Sequence, residues 1–84
     1  MVIIYIDNEG IKIMSPNQNY KIEMIADKDV PIGLFYKIYD VSQLPTEPKE
    51  TWDLEINQSN ADGIGLTQEE FDIKYPEYKG WSVK

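Results

Sequence analysis

The sequence of 84 residues contains no cysteine, no histidine and no arginine. Without cysteine no disulfide can staple this small domain, which is typical of proteins in a reducing compartment or inside a particle. Without cysteine and histidine the chain lacks the usual zinc ligands and the nucleophile–base pairs of thiol and serine hydrolases. Without arginine it also lacks the planar fork that reads guanine or clamps phosphate.

Positive charge is scarce as well. Eight lysines stand against fifteen acidic residues, and the net charge is −7. Such a balance repels nucleic acid and anionic membranes. No run of about 18 apolar residues and no charged-then-apolar leader is present. We therefore expect neither a nucleic-acid partner nor a membrane partner.

The length predicts one domain over residues 1–84, because a second core cannot be built from so short a chain. Apolar residues make up 42% of the chain, and aromatic residues make up 12% of it. This content is sufficient for a packed core. Domains of this size have marginal stability, on the order of 5 kcal/mol.

The first part of the chain predicts a β-hairpin with strands at about 2–7 and 10–15. Asp7 and Asn8 favour a turn, and Gly10 suits the positive φ that closes a short hairpin. The first strand lacks clean alternation of apolar and polar residues, which predicts burial on both faces or a central position in the sheet.

A short helix and a second central strand follow. Ile22, Ile25 and Ala26 have the spacing of an amphipathic helix of two turns at most, which Pro31 ends. Gly33 permits a tight turn into LFYKIYDV, which carries apolar side chains on both faces and therefore predicts a central strand.

The last third predicts a strand and a helix. TWDLEI alternates cleanly, with Trp52, Leu54 and Ile56 inward. Thr67 and Glu70 form a capping box at the start of a helix that Pro76 ends.

These elements together predict an α+β fold, with a small, mainly antiparallel sheet of about four strands and one or two short helices. A small five-stranded β-barrel of Sm or SH3 type is the alternative, if the prolines bend strands rather than end them.

The polar loop NQSNADGIGLTQEE resembles a calcium-binding EF-hand loop, but Gln58 stands where Asp is required and no helix precedes it. The acidic pairs Asp27/Asp29 and Glu69/Glu70 are interpreted as solvated carboxylates at turns and helix starts. We expect no catalytic residues, no metal, no cofactor and no enzymatic activity.

Aromatic residues are numerous for so small a chain. Tyr36, Trp52 and Phe71 are the core candidates. The remaining aromatic side chains could form an exposed contact patch, since Tyr and Trp often anchor protein interfaces; equally, the C-terminal tail could fold back to cover an open face of the sheet. The candidate interaction surface comprises Tyr39, Tyr75, Tyr78 and Trp81.

The segment IADKDVPIGLFYKIYDVSQLPTE, followed by Trp52, resembles an uncharacterised family of small tailed-bacteriophage proteins. Its pattern is I-A-x-K-D-V-P-x-G-x-x-Y-K-I-x-D, then L-P-T, then Trp, and it covers about a third of the chain. The two differ after Thr46, where EPKET replaces a basic stretch of the family. The resemblance implies a phage origin, among virion or tail-region gene products, and a location in the host cytoplasm or the virion.

The leading hypothesis is therefore a non-enzymatic phage accessory or virion-associated module that binds a phage or host protein. The edge strands of a small sheet also allow self-association into a homo-oligomer. The alternative is an acidic inhibitor that imitates the charge of DNA against a host nucleic-acid-binding protein.

Overall fold

The computed structural model describes residues 1–16, 19–78 and 81, and within them a four-stranded antiparallel sheet with two α-helices. The elements are β1 (Val2–Asp7), β2 (Gly10–Met14), α1 (Ile22–Asp29), β3 (Phe35–Tyr39), β4 (Gly63–Ile64) and α2 (Gln68–Lys74). Three short 3₁₀ turns lie at Val41–Gln43, Lys49–Thr51 and Pro76–Tyr78. The α+β prediction is confirmed. The barrel alternative is wrong, because the sheet is open.

The strand order is β2-β1-β3-β4, and every neighbouring pair is antiparallel. The hairpin pairs Ile3 with Met14, and β1 pairs Ile3 with Ile38. The two strands with apolar residues on both faces, β1 and β3, are thus the two central ones, as predicted. Among the described residues, β2 forms one edge and the two-residue β4 the other.

Both helices cover one face of this sheet. Ile3 and Tyr36 project from it into a core completed by the helices. The buried members of that core are Ile3, Met24, Ile25, Ala26, Val30, Tyr36, Phe71 and Tyr75. Of the three predicted core aromatics, Tyr36 and Phe71 are confirmed.

The other face of the sheet is covered by the long connection 40–62. Ile4, which alternation directs away from the helices, is fully buried. Lys37 also projects from this face, and its Nζ donates to the Asn60 carbonyl at 2.9 Å. The connection therefore forms a third layer.

The strand predicted at TWDLEI is wrong. Its burial does alternate, since Trp52, Leu54 and Ile56 are half-buried and the two acids between them are exposed. However, it pairs with no strand in the described part of the chain, because it crosses the sheet face instead of lying along an edge. Trp52 accordingly belongs to this covering layer rather than to the core.

Local turn chemistry agrees with the sequence. Gly10 and Gly33 have φ values of 119° and 82°, which side chains rarely adopt. Val30 is extended before Pro31, and it ends α1. Thr67 accepts a hydrogen bond from the Glu70 backbone N–H while the Glu70 carboxylate accepts one from the Thr67 backbone N–H. The capping box is confirmed.

Two further glycines permit close packing. A Cβ on Gly65 would overlap the carbonyl oxygens of Val30 and Pro31, and one on Gly63 would overlap the Tyr36 phenol. The GIG sequence therefore lets β4 approach the end of α1 and the middle of β3. None of the helices in residues 1–16, 19–78 and 81 has the length and apolarity that crossing a membrane requires.

Candidate functional site

The only charged side chain buried in the described core is that of Asp27, which is 1% exposed. Its Oδ1 accepts a hydrogen bond from the Tyr36 hydroxyl at 2.6 Å, and its Oδ2 accepts one from the Tyr75 hydroxyl at 2.6 Å. Lys74 adds a third donor, with Nζ 2.7 Å from Oδ2. One carboxylate thus ties α1 to β3 and to the end of α2.

The electrostatics of this cluster keep both phenols protonated. Burial raises the pKa of Tyr36, and the hydrogen bond to Asp27 raises it further. Burial and the same carboxylate raise the pKa of Tyr75. Neither phenol is suited to act as a base near neutral pH, because each is held as a donor to Asp27.

Access also argues for a structural role. Tyr36 is 1% exposed and Tyr75 is 9% exposed, and their hydroxyls already point at Asp27. The Asp27 carboxylate is itself buried, and the half-exposed Lys74 side chain lies against it. The cluster fastens the fold.

The interpretation of Asp27 as a solvated carboxylate is wrong. A sequence signal was available, because Asp27 lies three residues after buried Met24 and three before buried Val30, on the inward face of the helix. The hydroxyl groups that satisfy the buried carboxylate come from residues distant in the sequence. No sequence pattern near Asp27 therefore predicts these hydrogen-bond donors.

The loop that resembles a calcium site is used differently. The Asp62 carboxylate accepts a hydrogen bond from the Ile38 backbone N–H at 2.7 Å, which fastens the loop to β3. Asn60 bonds to the backbone at Asn57 and Glu55 through its side-chain oxygen and nitrogen. Over residues 1–16, 19–78 and 81, no group of three or more acidic side chains is placed to hold a metal ion.

The four predicted surface aromatics do not form one patch. Tyr75 is buried and its hydroxyl is hydrogen-bonded to Asp27, so its prediction as part of an exposed contact surface is wrong. Tyr78 and Trp81 pack against the core on the helix side. Tyr39 projects from the opposite face of the sheet, since it alternates with Tyr36 and Ile38 along β3.

The C-terminal aromatics pack with a residue that the sequence did not single out. The rings of Tyr20 and Trp81 meet edge-to-face with centroids 5.0 Å apart, and Tyr78 meets Trp81 at the same distance. Gln68 donates from its side-chain amide to the Trp81 carbonyl at 2.8 Å. Tyr78 and Trp81 thus cover part of the helix side.

The β2 strand forms an open edge of the sheet. Its inner side pairs with β1, and within the described residues no strand pairs with its outer side. Ile13 on this strand is 39% exposed. The Lys12 side chain turns back along the hairpin toward Glu9, with their charged atoms 3.6 Å apart. The edge therefore presents backbone donors and acceptors, with Lys12 as the one charged side chain on the strand.

A groove of about 550 Å³ adjoins this edge, between the hairpin and the connection 40–62. We call it the edge groove. Apolar side chains from both sides line it, together with two lysines and two glutamates. The lining residues are Ile6, Glu9, Gly10, Ile11, Lys12, Lys49, Glu50, Trp52 and Leu54.

A smaller groove of about 170 Å³ lies beside the same Trp52 and Leu54. Tyr39, Leu44 and Pro45 contribute to its lining. Trp52 thus borders two grooves at once. This is the place where the structure brings a predicted interface aromatic, Tyr39, next to an accessible apolar surface.

Comparison of the chain with protein-family models, with curated proteins and with solved structures gives no match.

Proposed function

We propose that this protein is a non-enzymatic module that binds another protein through the β2 edge and the edge groove. The observation that carries the proposal is a sheet edge without a strand partner among the described residues, lying directly beside a groove lined by both apolar and charged side chains. Each feature alone is common in small domains, whereas together they provide backbone bonding and side-chain recognition at one place.

In this mode of binding, an extended segment of the partner pairs with β2 and adds a strand to the sheet. An edge strand presents N–H and C=O groups that an extended segment of a partner can satisfy, which supplies affinity. Side chains of that segment alternate between the two faces of the sheet, so every second one reaches the side on which Ile11 and Trp52 lie. Specificity then comes from the fit of those side chains to the groove.

A catalytic role has less support. The buried carboxylate is enclosed and fully engaged in holding the fold. The sequence supplies no histidine or cysteine to act as base or nucleophile.

The acidic-inhibitor alternative also has less support. The helix α2 carries Glu69, Glu70 and Asp72, but Glu70 serves the capping box and Asp72 accepts a hydrogen bond from Gln68. Carboxylates engaged in this way are poorly placed to imitate a row of phosphates. Charge mimicry would weaken steeply with added salt, whereas strand addition would not, so binding at about 0.1 M and 1 M NaCl separates the two.

The resemblance to small tailed-phage proteins supports a role in the virion or in the infected host. Mass spectrometry of purified virions and of infected-cell lysate would distinguish these two locations. A chain found in neither would overturn the phage assignment while leaving the binding surface to be tested separately.

The binding surface is tested by placing a photo-crosslinking amino acid at position 13 and, as a control, at position 73. Ile73 on α2 is 74% exposed and lies on the helix side, away from β2. We expect covalent adducts with a defined partner from position 13 and few from position 73. Equal yields from both positions, or none from position 13, would overturn the proposal.

A further inference from the structure

The open edge coincides with the part of the chain that has the least negative charge. Residues 10–22 form the longest stretch of the sequence without Asp or Glu, and they include Lys12 and Lys21. The outer strand β2 lies at the start of this stretch. The fifteen acidic residues are spread over the rest of the chain.

We propose that the occupant of the β2 edge is a second copy of this chain, paired antiparallel about a two-fold axis so that the two sheets become continuous. This inference rests on the proposed function, since it assigns a partner to the same edge. An isologous contact of this kind uses one patch twice and closes on itself as a dimer.

Electrostatics favours this edge for self-association. Two copies with a net charge of −7 each repel one another, and the repulsion is weakest along β2, which itself carries no carboxylate, although Glu9 and Glu50 line the adjoining edge groove. Lys12, within the edge, has its charged atom 3.6 Å from that of Glu9 in the same copy, so it offsets this exposed carboxylate beside the approaching partner. The same argument disfavours contact through α2, which has Glu69, Glu70 and Asp72.

The side chains of β2 also favour one pairing register between the β2 strands of the two copies. In an antiparallel pair that keeps the two faces of the sheet aligned, the axis passes through Lys12 or through a flanking isoleucine, for which we take Ile13 because it is exposed whereas Ile11 is half-buried. The first choice places Lys12 opposite its own copy, and like charges directly opposite are unfavourable. The second places Ile13 opposite Ile13 and Lys12 opposite Met14. We assign the second register, because it buries the exposed isoleucine and separates the lysines.

The dimer is expected to be weak. The strand has five residues, so the contact is smaller than a standard interface of roughly 1,200 Å² or more. We expect a dissociation constant roughly between 1 µM and 1 mM. Sedimentation at rising concentration should therefore show a monomer that converts to a dimer of twice the 9.8 kDa mass.

The absence of cysteine permits a clean test of the register. Three single-cysteine variants are compared under oxidation: Ile13→Cys, Lys12→Cys and, as a surface control, Ile73→Cys. We expect disulfide dimers from Ile13→Cys at several times the yield of the other two. Higher yield from Lys12→Cys would overturn the register, and equal yield from Ile73→Cys would overturn the contact.

A second variant removes the contact without relying on oxidation. Ile13→Lys should abolish the dimer in sedimentation, whereas Ile73→Lys should leave it unchanged, with circular dichroism confirming that both fold. A wild-type chain that stays monomeric up to about 1 mM, the upper bound of the expected dissociation constant, would overturn self-pairing.

The crosslinker at position 13 separates this inference from the proposed function. Adducts of twice the chain mass support self-pairing. Adducts with a different protein alone leave the proposed function standing and overturn self-pairing, and no adduct at all overturns both.

Discussion

The Tyr75 hydroxyl donates a hydrogen bond of 2.6 Å to the Asp27 carboxylate, across 48 residues of sequence. Tyr75 is the residue that ends α2, and Asp27 lies within α1. The bond therefore fixes the second helix against the first, and the same carboxylate fixes Tyr36 of β3. Much of the tertiary arrangement depends on this one acidic side chain.

Replacing that carboxylate should be severe. We expect Asp27→Ala to lower the free energy of unfolding by roughly 3–5 kcal/mol, because it leaves two phenols in the core without an acceptor. In a domain whose total stability is about 5 kcal/mol, this leaves roughly 0–2 kcal/mol, so between a few per cent and about half of the variant should be unfolded at 25 °C. Urea unfolding followed by circular dichroism measures the difference. The control is Asp29→Ala, whose carboxylate pairs with Lys28 near the surface and should cost less than about 1 kcal/mol. Similar losses for the two variants would contradict the structural role of Asp27.

Stability should fall at alkaline pH. The pKa values of Tyr36 and Tyr75 are raised in the folded protein, so the unfolded chain loses these two protons first, near pH 10. Their contribution is therefore fully present below about pH 10 and is lost as the pH rises above it, with a slope of about 2.7 kcal/mol per pH unit for two groups. Absorbance at 295 nm should show two of the six tyrosines ionising only as the chain unfolds. Smooth titration of all six tyrosines near pH 10 in the folded protein would contradict the prediction.

The close approach at Gly65 should make that position intolerant of a side chain. A methyl group there overlaps the carbonyl oxygens of Val30 and Pro31, and backbone atoms cannot move aside as a flexible side chain can. We expect Gly65→Ala to cost roughly 1–3 kcal/mol. Gln58→Ala, at an exposed position of the preceding loop, should change stability by less than about 0.5 kcal/mol. The prediction is wrong if thermal unfolding gives the same midpoint for both.

The capping box should contribute measurably to α2. Thr67→Ala removes the side-chain acceptor of the Glu70 backbone N–H and should cost about 1 kcal/mol. Thr67→Ser retains that acceptor and should recover most of the loss, which distinguishes capping from packing of the threonine methyl group. Thr46→Ala, at an exposed position of the connection, serves as the unaffected reference in urea unfolding. If Thr67→Ser is as destabilised as Thr67→Ala, capping is not the cause.

Features that depend on a few neighbouring residues were predictable. The hairpin, the extended Val30 before Pro31 and the Thr67–Glu70 capping box all follow from turn and cap chemistry within about four positions. The central positions of β1 and β3 were also predictable, because burial on both faces leaves a continuous apolar run.

Features that depend on distant partners were decided by the tertiary structure. TWDLEI has the alternation of a strand, but a strand exists only where a neighbour supplies its hydrogen bonds, and this segment crosses the sheet face. Asp27 resembles any surface acid until Tyr36 and Tyr75 are brought to it from positions 9 and 48 residues away. The sequence by itself determined where the chain turns, caps and alternates, since those energies are local. Only folding decided which carboxylate is buried and which edge is left open, because both depend on groups that the chain brings together from far apart.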